Sequence, residues 1–299
     1  MGIAPQISSK PAAGRFLSRL CLKLTGIVMA LLIVLFVHIP GQIREYVYNI
    51  FCEAGRAHAL LGTRHMHTLS GGRFVVRYEP ADAGGARLVL KAAQRFYPQI
   101  ARDFHFTTVD PILLVVYPSR ESLNASFGWP ASESAMGVYW AGVIRVLSPR
   151  AWIDARDPRE VEEIFLSSGP VAHELTHLVV DYLTRGNVPR WLTEGIAQYE
   201  EYKLTGFRFA QIQDLTGFEL YDFKVMDRKF DELPDQTLAY GQSLAAVEYL
   251  VEEYGAESLH KILTVLGQGR DINEALEQVT GRDVDGFASG FKLWMEKKV

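Results

Sequence analysis

The residues best suited to chemistry lie within Gly169–Glu201, which reads GPVAHELTHLVVDYLTRGNVPRWLTEGIAQYEE. His173 and His177 stand four apart. On a helix that separation puts both imidazoles on one face, about 6 Å apart along the axis, within reach of a single Zn²⁺. Glu174 is turned toward the rim of that face, where a carboxylate reaches a water beside the metal rather than the metal itself. The rest of the segment is apolar: Val171, Ala172, Leu175, Leu178, Val179 and Leu183. A buried histidine pair beside a buried glutamate is uncompensated without a partner, and a metal ion supplies one.

A catalytic zinc takes three protein ligands and keeps one position open. A metzincin would carry Gly at 180 and His at 183; Val180 and Leu183 exclude that class. Glu194 follows His177 after 16 intervening residues, near the start of a second helix expected over Trp191–Lys203. The turn Thr184–Pro189 has the Gly and Pro that fold this helix back on the first and bring Glu194 opposite the two histidines. The bland reading of Glu194 is a first-turn acid favoured by the helix dipole; beside HExxH the ligand reading is preferred. Asp181, one turn beyond His177, is either a hydrogen-bond acceptor for a ligand imidazole or a surface acid.

His173-Glu174-Leu175-Thr176-His177 followed by Trp191-Leu192-Thr193-Glu194-Gly195-Ile196-Ala197-Gln198-Tyr199 resembles the gluzincin metallopeptidases, in particular the small peptidase MA-like domains. The resemblance implies one Zn²⁺ held by His173, His177 and Glu194, with Glu174 as general base. It also implies a peptide or protein substrate. Its specific part spans about 169–201, and a looser likeness spans 71–299. Tyr240, within Leu238–Ser243 (LAYGQS), resembles the tyrosine with which some gluzincins stabilise an oxyanion; as one of 13 tyrosines it is also a candidate for simple core packing. Gly137, Val138 and Tyr139 lie on a strand expected to offer its edge to an extended peptide by β-augmentation. No signature for a substrate amino terminus is evident, which favours an endopeptidase. A reading from a different class is an interaction or assembly module of the envelope that keeps the zinc site as a structural element.

Those groups need a scaffold to position them. Charge and composition are ordinary for a globular chain: 48% hydrophobic, 22% charged, net charge −4 over 299 residues. A mildly acidic chain without a basic face argues against nucleic acid as partner. Cys21 and Cys52 are the two cysteines, so neither a disulfide framework nor a Cys-ligated zinc is expected in the main domain. Arg73–Tyr78, Pro111–Tyr117 and Gly137–Leu147 have strand character, and Ala86–Phe104 has helical periodicity, with Pro98 expected to kink or end it. Beyond residue 155 the pattern turns helical: a helix within Val161–Thr184, then Trp191–Lys203, Ala239–Tyr254, Glu257–Leu266, one capped by an Asp271–Glu274 box, and Val284–Lys297. Strands first and helices after give an α+β fold: a strand-rich subdomain over 71–154 packed on a helical zinc-binding subdomain over 155–299, with the site between them.

Leu24–Ile43 holds 20 residues without formal charge, preceded by Lys10, Arg15, Arg19 and Lys23 and no acid. That pattern is expected to be a transmembrane anchor with its N-terminus cytoplasmic, residues 1–23 as a basic tail, the lipid bilayer as partner and the domain extracytoplasmic. Residues 44–70, including the pair His65 and His67, are expected to form a solvated membrane-proximal stalk. A cleaved signal peptide is the competing reading of the apolar run.

Overall fold

The structure is a computed structural model and describes residues 41–107, 111–128, 135–209, 215 and 217–298. Glu45–Val299 forms one compact unit; of the separate unit Met1–Arg44 only the last four residues are described.

The elements run α1 (Gly41–Gly62), β1 (His67–Gly71), β2 (Phe74–Tyr78), α2 (Ala83–Asp103), β3 (Ile112–Tyr117), α3 (Arg120–Ala125), β4 (Gly137–Trp140) and β5 (Val143–Leu147). Helices α4 (Pro158–Ser168), α5 (Val171–Thr184), α6 (Arg190–Thr205), α7 (Phe223–Lys229), α8 (Gln236–Tyr254), α9 (Glu257–Gly267), α10 (Ile272–Thr280) and α11 (Val284–Lys298) follow. The fold is therefore α+β, with the strands in the first half and a helical body in the second.

The sheet has the order β1-β2-β3-β5-β4. The central pairs β2–β3 and β3–β5 are parallel, and the outer pairs β1–β2 and β4–β5 antiparallel. A sheet with parallel strands at its centre is covered on both faces, which explains why all six residues of β3, ILLVVY, are buried without alternation. Leu114, Val116, Ile144 and Val146 face the larger core with α2 and α5, whereas Leu113, Val115, Val143 and Leu147 pack with Ala59, Met66 and Leu123. The hairpin joining β4 to β5 turns on Ala141 (φ 51°) and Gly142 (φ 76°), and β4 is left as the edge strand beside the active-site helix.

Several expectations are corrected here. Residues 24–40 of the proposed transmembrane helix lie outside the described residues, and Gly41–Ile43 open the helix α1 instead. Among the described residues no helix is long and apolar enough to cross a membrane, so the single-pass anchor, the bilayer contact and the extracytoplasmic placement are withdrawn. Helix α1 carries Arg44, Glu45, Glu53 and Arg56, charges that a spanning segment would have to bury. The stretch expected as a stalk is built into the fold: Tyr48, Cys52 and Ala59 of α1 are buried, and β1 pairs with β2. His65 pairs with Glu79 on the surface and the His67 ring packs edge-on against Tyr78.

Helix α2 continues through Pro98 to Asp103, because Tyr97, Ile100 and Phe104 are buried and tertiary packing outweighs the one lost backbone bond. The helix expected within Val161–Thr184 is two helices, broken at Gly169-Pro170. At Gly169 a Cβ would meet the Phe165 carbonyl at 2.4 Å, and Pro170 has no N–H to continue the ladder. HExxH thus falls in the first turns of α5 rather than in mid-helix. The Asp271–Glu274 capping box forms in both directions.

Candidate active site

Helices α5 and α6 form the antiparallel pair that the turn between them dictates. Helix α5 ends at Thr184, with Arg185 (φ 56°) and Gly186 (φ 73°) both left-handed, and Pro189 caps the start of α6. Helix α8 closes against α6 at Gly195, where a Cβ would lie 2.2 Å from the Ser243 carbonyl oxygen. No residue but glycine permits that approach, and it fixes the depth at which Glu194 sits.

The structure brings His173, His177 and Glu194 together, with their ligating atoms within 4.8 Å of one another. The two Nε2 atoms are 3.0 Å apart. Glu194 Oε2 lies 3.3 Å from His173 Nε2 and 3.5 Å from His177 Nε2. Bonds of about 2.0–2.2 Å from a tetrahedral Zn²⁺ would set its ligand atoms about 3.3 Å from each other, so this triangle has the dimensions of one face of such a shell. Glu194 Oε2 is moreover buried without a hydrogen bond of its own. Two imidazole nitrogens and a carboxylate oxygen aimed at one point in a buried setting are the donor set of a zinc site.

Electrostatics agree. Burial alone would raise the Glu194 carboxyl, but His177, His173 and the Arg190 guanidinium together hold it well below the usual carboxylate range. Burial would lower His173, and Glu194 and Glu201 outweigh it and carry the imidazole well above its usual value. A field that favours a protonated imidazole at this point also favours a divalent cation. Arg190 Nη2 holds the other oxygen, Glu194 Oε1, at 3.0 Å, which leaves Oε2 as the free ligand atom.

The outer nitrogens of the two imidazoles are also held. His173 Nδ1 is 3.3 Å from Glu201 Oε2, and His177 Nδ1 is 2.8 Å from Thr193 Oγ1. These contacts fix which nitrogen of each ring faces the centre. Asp181, expected behind a ligand imidazole, does not take that place. Its Oδ2 accepts from Tyr48 and Tyr139, because the i+4 step from His177 points it toward β4 and α1 while the His177 ring leans on α6. Glu201 lies two turns beyond Glu194 on the same face of α6, a spacing visible in the sequence but not read there. Replacing Thr193 by Val or Glu201 by Gln is expected to lower zinc affinity about 10–100-fold, read by competition with a chelator of known affinity.

Glu174 is 5% exposed, and its Oε2 accepts a 2.6 Å hydrogen bond from the backbone N–H of Tyr139 on β4. Burial raises its carboxyl pKa, against the lowering effect of the two histidines. Gly137 makes the contact possible: a Cβ there would lie 2.7 Å from Pro170 Cβ and 2.8 Å from Glu174 Cγ. Along a strand successive backbone groups alternate in direction, so Gly137 shares the outward orientation of Tyr139, while Val138 pairs with Arg145 of β5. Tyr240 reaches the same centre from α8. Burial and the nearby Glu194 push its hydroxyl up to about 12, against the lowering effect of the Arg190 guanidinium. Its ring is held between Phe209 and Phe230.

A helix pair presenting two imidazoles and a glutamate to one point, flanked by a buried helix carboxylate held against a sheet edge, defines a zincin-type metallopeptidase domain built for one zinc ion. The chain belongs to the Peptidase MA superfamily, whose family model matches residues 92–297. Among solved structures the chain is similar to Legionella pneumophila aminopeptidase A in complex with aspartic acid, at 13% identity and a TM-score of 0.45, covering 73% of this chain and 26% of that one. It is also similar to the M1 zinc metallopeptidase from Deinococcus radiodurans, at 15% identity and a TM-score of 0.42, covering 77% and 50%. The chain thus spans between a quarter and a half of these proteins, and likeness at this level supports no statement about activity. No curated protein matches the chain by sequence.

Proposed function

We propose that the chain is a zinc-dependent endopeptidase. The observation that carries the reading is the convergence of His173 Nε2, His177 Nε2 and Glu194 Oε2 beside the buried Glu174 carboxylate. His173, His177 and Glu194 would hold the ion; when bound, zinc polarises a carbonyl and lowers the pKa of water toward about 7.

Glu174 acts as the general base. Its Oε2 is fixed by the Tyr139 N–H, and its carboxylate takes the proton of the attacking water and passes it to the leaving amine nitrogen. Its raised pKa suits both halves of that transfer. The Tyr240 hydroxyl, pushed up by burial and by Glu194, keeps its proton for donation to the developing oxyanion. An extended substrate lies along β4, pairing with the outward groups of Gly137 and the carbonyl of Tyr139 beside the exposed Trp140.

The test is digestion of two matched peptide libraries, one with blocked and one with free termini, by the full chain, before and after chelation and after zinc is returned. Cleavage of blocked peptides that is lost on chelation and restored by zinc supports the reading. Cleavage confined to free amino termini would convert it to an aminopeptidase, and no cleavage would remove it.

A further inference from the structure

Helix α1 precedes the residues matched by the family model, yet it reaches the active-site strand through a half-buried network. Tyr48 OH donates to Asp181 Oδ2 at 2.5 Å, Tyr139 OH donates to the same oxygen at 2.8 Å, and the two hydroxyls are 3.1 Å apart. Asp181 stands on α5, one turn beyond His177. A single carboxylate oxygen therefore ties α1, β4 and α5 together.

The same face of α1 continues onto the β4–β5 turn. Cys52 and Gly55 follow Tyr48 at four and seven residues, the spacing of one helix face. A Cβ placed at Gly55 would lie 2.5 Å from Ala141 Cβ, and one at Gly142 would lie 3.2 Å from Cys52 Cβ. Ala141 is left-handed, a conformation that costs a residue with a Cβ and holds only where the surroundings enforce it. The ring of Phe51 meets Trp140 edge-on at 5.5 Å, so α1 touches the strand at its end as well.

The consequence runs inward. The residue whose hydroxyl is held by Asp181 is the residue whose backbone N–H holds Glu174. Packing alone does not call for this arrangement. Two phenylalanines would fill the volume without burying a carboxylate, whereas hydroxyls on one charged oxygen fix direction as well as distance.

We propose that Tyr48 and Asp181 are positioning residues, through which α1 fixes Tyr139 and so the aim of Glu174 and of the substrate edge of β4. The assignment rests on the reading of Glu174 as base and β4 as substrate strand. Neither residue touches the reacting atoms.

The test compares the full zinc-loaded chain with Tyr48→Phe, which keeps the ring and its packing, and with Asp181→Asn. Zinc affinity by chelator competition, steady-state peptide cleavage and amide hydrogen exchange over residues 137–142 are measured on each. Tyr48→Phe is expected to leave zinc affinity within about threefold, to lower kcat about 10–100-fold with a smaller change in KM, and to speed exchange of the Tyr139 amide at least tenfold. The double variant Tyr48→Phe/Tyr139→Phe is expected to lose less than the two single losses multiplied, since both remove one shared contact. Exchange and turnover at wild-type levels in Tyr48→Phe overturn the assignment, and so does a fall in zinc affinity that matches the fall in turnover, which reports general loosening. Should the wild type cleave nothing, the protease reading fails, and exchange at 137–142 still decides whether Tyr48 holds the strand. Tyr48→Phe carries the decision even where Asp181→Asn fails to fold.

Discussion

Glu174→Gln is expected to abolish most turnover while leaving zinc in place. Glutamine matches glutamate in shape, and its amide oxygen still accepts the hydrogen bond that Tyr139 N–H gives to Oε2. The strand edge and the backbone around Gly137 therefore stay where they are. What is lost is the group that takes a proton from water and returns it to the leaving amine. General acid–base catalysis by one positioned side chain contributes about 10²–10⁴-fold, and here the same carboxylate serves in both halves of the reaction, so a loss of about 10³-fold in kcat/KM is expected. Glu174 is not one of the three converging donors, so zinc affinity is expected to stay within about threefold. Peptide cleavage and chelator competition on the same preparation check both halves. Undiminished cleavage would remove Glu174 from the mechanism. A wild type that binds zinc and cleaves nothing would favour the interaction-module reading, in which the metal is structural.

Glu194→Ala is expected to cost both metal and turnover. Its Oε2 is the only carboxylate oxygen among the three converging atoms, and its side chain is 3% exposed, so water cannot readily take its place. Removing it also leaves the Arg190 guanidinium facing the imidazole pair without the anion at 3.0 Å that it now neutralises. A positive charge then opposes cation binding where a negative one favoured it. The loss in zinc affinity is expected to exceed the 10–100-fold that removal of a supporting partner such as Thr193 or Glu201 costs. A second readout needs no substrate. Zinc at 1,000 times its Kd stabilises the wild type by about 4 kcal/mol through mass action, and that rise in melting temperature is expected to vanish in Glu194→Ala. Wild-type zinc affinity in the variant would show that Glu194 is a structural acid, and the zincin assignment would lose its third donor.

Much of this site was legible because its parts are local. HExxH is a statement about one helix face, and helical geometry alone brings His173 and His177 together. The turn over Thr184–Pro189 announces itself by Gly186 and Pro189, so the return of α6 and the approach of Glu194 follow from a short stretch of chain. Asp181 shows where local reasoning stops. Its position one turn past His177 is readable, but whether it serves a histidine or a tyrosine depends on α1 and β4, which are 133 and 42 residues distant in sequence. Residues 44–70 are hard to read from sequence for a related reason. Helix α1 buries one face against the β4–β5 hairpin, but its sequence mixes Arg44, Glu45, Glu53 and Arg56 with Tyr46 and Ile50, which stay exposed on its other face.

The sequence by itself determined the pairing of His173 with His177, the candidate third donor Glu194 and the strands-then-helices order of the main domain, since residue type and helical period act over a few positions. Only the tertiary structure decided that Glu174 is aimed by a backbone N–H of the edge strand, that Arg190 takes one oxygen of Glu194 and leaves the other free, and that α1 reaches Asp181. Those contacts join elements far apart in the chain, and side-chain packing rather than local propensity selects them. The close approaches at Gly137 and Gly195 make the same point: a glycine in a sequence reads as freedom, and here each marks a place where a neighbouring element leaves no room for a Cβ.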